Sequence, residues 1–114
     1  MTEPRLASHI LVSAFVRLAN AQGDFATVIK KGDPVSGSLL LIGQIRGEKP
    51  MLFERMNGLD GVSSWQPIYA NIQETVEKMP DYLTRRKARD PDLWIVELDV
   101  ADGERLNGLL AASY

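Results

Sequence analysis

Residues 84–100 read TRRKARDPDLWIVELDV, and the Asp90-Pro91 pair in the middle constrains the chain more than any other feature. A proline ring disfavours the helical region for the preceding residue, which makes Asp90 a helix stop. Upstream, Val76, Met79 and Leu83 recur at helical spacing and predict a helix over about 73–89. Pro80 falls within it and either occupies a first turn or kinks it. Downstream, LWIVELDV (93–100) is an apolar run of strand length. Helix, stop and strand, in that order, therefore form one unit of the fold.

The rest of the chain divides around that unit. Leu11, Ala14, Phe15, Leu18 and Ala19 make one helical stripe over 7–22, with Gly23 at the position after the last turn. Ile10, Val12, Ala14, Val16 and Leu18 also alternate as a strand would, but the length and the glycine stop favour helix. FATVIK (25–30), SLLLIGQIR (38–46), MLFERM (51–56) and VSSWQPIY (62–69) follow as strands, joined by GDPVSG (32–37), a turn at Gly47 with Pro50 after it, and NGLDG (57–61). Asn-Gly and Asp-Gly are hairpin signals, so an antiparallel meander is expected. Pro67 has no N–H and belongs at a sheet edge or strand end. Asp102 caps a last helix over 103–112, with Leu106, Leu109 and Leu110 on one face. The order is helix, four strands, helix, strand, helix. It predicts one α+β domain over 1–114, a mainly antiparallel sheet of four to five strands with about three helices packed on one face.

Composition excludes several functions. The 114 residues carry a formal net charge of −2, so nothing draws the whole molecule toward nucleic acid or anionic lipid. With no cysteine there is no disulfide framework, thiol catalysis or cysteine-ligated metal, and a cytoplasmic setting is expected. No apolar run approaches the roughly 20 residues that span a bilayer. Arg5, the apolar run 10–16 and Ala19-Asn20-Ala21 imitate a secretory signal, but Ser13 and Arg17 break the pattern.

Candidate chemistry is sparse. His9 is the one histidine, without a second histidine, a cysteine or a G-x-S-x-G elbow to work with, so a surface or capping role is expected. Asp92, Glu97 and Asp99 are oxygen ligands of the kind a hard cation takes. Glu97 and Asp99 project from one face of a strand about 7 Å apart. Arg85, Arg86 and Arg89, with Lys87, could hold phosphate, but cations also complement a helix C-terminus. KKGDPVSGS (30–38) has the composition of an anion loop without the P-loop spacing, and reads as a hairpin connection. Trp65 and Trp94 are expected to anchor a core or an interface, each worth about 3–5 kcal/mol if buried.

LVSAFVRLANAQGDFATVIKKGDPVSG (11–37), Trp65-Gln66-Pro67 and ARDPDLWIVELDV (88–100) together resemble the small bacterial proteins grouped as domain of unknown function 1491. The resemblance spans nearly the whole chain and implies a compact alphaproteobacterial protein. It carries over no catalytic residue. The sequence supports a non-catalytic interaction or ligand-binding domain, without cofactor, over an enzyme. Its expected partner is an unidentified protein or a second copy in a homodimer. The alternatives are a metal-dependent hydrolase of a phosphate compound using Asp92, Glu97 and Asp99, and nucleic-acid binding through 85–89, against which the overall charge argues.

Overall fold

A computed structural model describes residues 7–112. The elements run α1 (Ser8–Ala21), β1 (Phe25–Lys30), β2 (Leu39–Ile45), β3 (Glu48–Asn57), β4 (Ser63–Pro67), α2 (Ile72–Arg89), β5 (Trp94–Val100) and α3 (Gly103–Ala112). The predicted order of helices and strands holds, and the fold is α+β.

The sheet is not a simple meander. Its order is β1-β5-β2-β3-β4. β5 inserts between the first two strands, antiparallel to β1 and parallel to β2. β2–β3 and β3–β4 are the expected antiparallel hairpins. GDPVSG is therefore a connection that passes the start of β5, not a hairpin turn. β1 and β4 are the two edges, and Pro67 ends β4 as its missing donor requires. Arg46 and Gly47 both take positive φ, 52° and 74°, the two-residue turn whose twist suits a hairpin. Pro50 lies inside β3 rather than before it, beside a register shift that tolerates its missing N–H.

Helices cover both faces, not one. Leu39 and Leu41 of β2 and Trp94, Val96, Leu98 and Val100 of β5 pack with Val12, Phe15 and Ala19 of α1 and Leu106 and Leu109 of α3. The alternate residues Leu40, Ile42, Leu52, Leu93 and Ile95 pack with Met79, Tyr82 and Leu83 of α2. β2 and β5 are apolar in consecutive positions because both their faces are buried.

Each helix end has a local cause. α1 lacks a side-chain cap, and its first N–H groups donate instead to the carbonyls of Val35 (3.1 Å) and Pro34 (2.9 Å). It ends at Gly23, φ 86°, where Asp24 N–H reaches back to Ala19 O and Gly23 N–H to Asn20 O. Asn71 caps α2 by accepting the Glu74 N–H at 2.8 Å. Pro80 sits within α2, leaving the Val76 carbonyl without its donor on a part of the helix where Val76 is exposed. Asp102 caps α3 as expected, accepting the Arg105 N–H at 2.9 Å. Among the described residues no helix is long and apolar enough to cross a membrane.

Candidate functional site

The GDPVSG connection and the DPDLW entry into β5 interlock. Asp33 N–H donates to Asp92 O at 3.0 Å. The Trp94 indole N–H donates to Asp33 O at 2.7 Å, and the Lys30 ammonium to the carbonyls of Pro91 and Leu93, both at 2.9 Å. Gly32 and Gly37 are glycines because a Cβ at either would run into the Asp92 carbonyl oxygen. The Asp33 carboxylate accepts the N–H groups of Ser36 (2.8 Å) and Val35 (3.0 Å), which hold it below the ordinary range. These residues build a joint between two chain segments. Trp94 is 3% exposed within it. Trp65 is half-buried, tilted on Phe15 at 5.9 Å, with Arg55 over its ring at 5.4 Å.

The three arginines named from the sequence separate. Arg86 lies on the buried side of α2, its fork spanning both Glu54 carboxylate oxygens at 2.9 and 2.7 Å, with the Tyr82 hydroxyl at 2.8 Å. The hydrogen-bonded Glu54 carboxylate raises the Arg86 guanidinium above its ordinary value. Its donors are committed to this fork, whereas Arg85 and Arg89 are exposed. Among the carboxylates, Asp92 is exposed at the joint, and Glu97 and Asp99 share the α2-side face of β5. Asp99 accepts the Gly47 N–H at 2.9 Å. Among the described residues, no group of three histidines or acids could hold a metal ion.

Two concavities among the described residues bear on function. A crevice of about 320 Å³ near the end of β5 is bounded by Asp24, Phe25, Arg46, Asp99 and Arg105. Its charges already serve one another or the backbone: Arg105 Nε and Nη2 donate to the two oxygens of buried Asp24 at 2.9 and 3.0 Å, and Arg46 Nε to Ala101 O at 3.2 Å. A larger groove, about 560 Å³, runs between α1 and β1. Its apolar lining includes Val16, Val28 and Trp94, and the charged or titratable side chains around it are His9, Arg17 and Lys31.

This groove was not legible as a site in the sequence. Its residues are scattered from 9 to 94, and only the pairing of β1 with β5 brings them together. Beside it, β1 forms a sheet edge that is free among the described residues and carries Phe25 (73% exposed), Val28 and Ile29.

Comparison with known proteins places the whole arrangement. The family model described as "Protein of unknown function (DUF1491)" matches residues 6–107. The crystal structure of a DUF1491 family protein from Caulobacter crescentus CB15 is 34% identical, with a TM-score of 0.76 over 87% of this chain and 92% of that one. An NMR structure of a DUF1491 family protein from the same organism is 33% identical, with a TM-score of 0.71 over 89% and 91%. The solution structure of protein Atu0922 from A. tumefaciens is 26% identical, with a TM-score of 0.70 over 87% and 89%. No curated protein matches the chain. Sequence and fold agree that this chain belongs to the DUF1491 family.

Proposed function

We propose that the chain is a non-catalytic interaction domain that takes up an extended segment of another protein along the free edge of β1. One observation carries this: an edge strand whose apolar side chains are exposed and whose single lysine does not guard it. Edge strands are normally blunted by lysine, proline or a covering element, because their open backbone groups pair with any strand that fits. Here β1 has no proline, and Lys30 is turned back onto Pro91 and Leu93. Asn20 Oδ1 meets the Ala26 N–H at 3.4 Å, a long bond that a carbonyl of an added strand would replace. That contact shows the Ala26 N–H pointing away from β5, and strand alternation points the Val28 N–H the same way.

The hydrolase and nucleic-acid alternatives have less support, since Arg86 is engaged by Glu54 and the described residues form no metal cluster. The cytoplasmic setting expected from the sequence is part of the proposal. The test selects binders from a displayed library of random decapeptides and follows amide hydrogen exchange at Ala26 and Val28. Both amides are expected to exchange rapidly in the free protein and slowly with a selected peptide bound. Slow exchange in the free protein, or no change on binding, overturns strand addition.

A further inference from the structure

We infer that the segment added to β1 is acidic with an apolar centre, and that the groove between α1 and β1 selects it; this rests on strand addition at the β1 edge. A strand laid beside β1 turns every second side chain toward the α1 side of the sheet. Those side chains enter the groove over Val16, Val28 and Trp94, an apolar lining with Trp94 only 3% exposed and Val28 40% exposed.

The rim decides the charge. Arg17 and Lys31 are exposed there, with His9 near the start of α1, and among the described residues no carboxylate lines the groove. Two acids close in sequence to β1 are engaged elsewhere: Asp24 holds Arg105, and Asp33 accepts the Val35 and Ser36 N–H groups. In a chain of net charge −2, this is a local cationic field. A partner side chain entering the groove therefore meets apolar surface first and positive charge on either flank.

A second copy fits less well. Pairing β1 with itself across a two-fold would set one cationic rim beside the other, like charge against like. An acidic segment relieves that field. The expected pattern is a bulky apolar residue flanked by Asp or Glu two positions away on each side, which keeps all of them on the groove face.

The probe is a labelled nine-residue threonine peptide with a central Leu and a Glu two residues to each side; its counterpart carries Gln at both positions. Anisotropy titrations at low salt should show the Glu peptide binding about tenfold tighter, as two rim ion pairs would give. The advantage should shrink with added salt and vanish in the R17E/K31E double variant, whose changed residues are both exposed. Slowed exchange at Ala26 and Val28 should accompany binding. Equal affinity for the two peptides, with both amides slowed, overturns the acidic preference and leaves strand addition standing. Binding of the Glu peptide without slowed amides overturns strand addition itself, as does equal competition by octanoate, which would make the groove a site for a small carboxylate. A concentration-dependent dimer in light scattering that excludes the peptide makes a second copy the occupant and overturns the inference.

Discussion

Ile95 and Glu97 are two residues apart on one strand and point to the same face of the sheet, yet their surroundings are opposite. Ile95 is 1% exposed beneath α2, among Leu40, Ile42, Leu52 and Leu93. Glu97 lies at the edge of that cluster, half-buried between Thr27 of β1 and Ile42 of β2. The α2 side of the sheet is thus covered toward β3 and bare toward β1, where Phe25 and Thr27 are exposed. One half of the face serves folding. The other half is kept at some risk of aggregation, and that is what makes it the place to look for function.

The largest effect should come from the covered half. Ile95→Ala removes a fully buried side chain from the middle of the α2 cluster and should destabilise the protein by about 2–5 kcal/mol. Urea denaturation followed by circular dichroism measures it. A loss below about 1 kcal/mol would mean that α2 is not seated on this half, and the contrast between the halves would disappear.

Next in size is the ion pair that fastens α2 to β3. The Arg86 and Glu54 side chains are 11% and 20% exposed, between the surface case, where such pairs are weak, and the buried case. Arg86→Met keeps most of the apolar stem but strands Glu54, and should cost about 1–3 kcal/mol. Adding Glu54→Leu removes the stranded carboxylate and should restore most of that loss. If the double variant is no more stable than R86M, the single loss comes from packing and not from an orphaned charge.

Much of this division is legible in the sequence. The Asp90-Pro91 stop, the Asp102 cap and the Gly23 helix end act within a few residues of themselves, so local sequence sufficed. The run Leu39 to Ile42 carried a further message. Consecutive apolar residues, instead of alternating ones, signal a strand buried on both faces, which requires helices on both sides. Asn71 and Glu74, with the cap-and-acid spacing of a helix start, likewise marked the beginning of α2. The insertion of β5 between β1 and β2 was not legible, because turn chemistry between neighbours says nothing about a strand that returns later. Val76 looked like part of the buried stripe and is 55% exposed. The true stripe runs through Thr75, Met79, Tyr82 and Leu83 to Arg86, a polar end that hydropathy does not pick out. The candidate groove depends on the β5 insertion and was illegible for the same reason.

The smallest effect should come from the bare half. Phe25 is a large aromatic on an edge strand, opposite Asp99, and is 73% exposed. Phe25→Ser takes away little buried area, so stability should stay within about 0.5 kcal/mol of the parent despite the lower strand preference of serine. Self-association at high concentration should fall, because the exposed ring is the most adhesive part of an open edge. Chemical denaturation and light scattering on the same samples separate the two quantities. Unchanged stability with weaker association is the signature of a residue kept for what lies outside the molecule. A loss of more than about 1 kcal/mol would show instead that Phe25 is held against the fold, and the bare half would be as structural as the covered one.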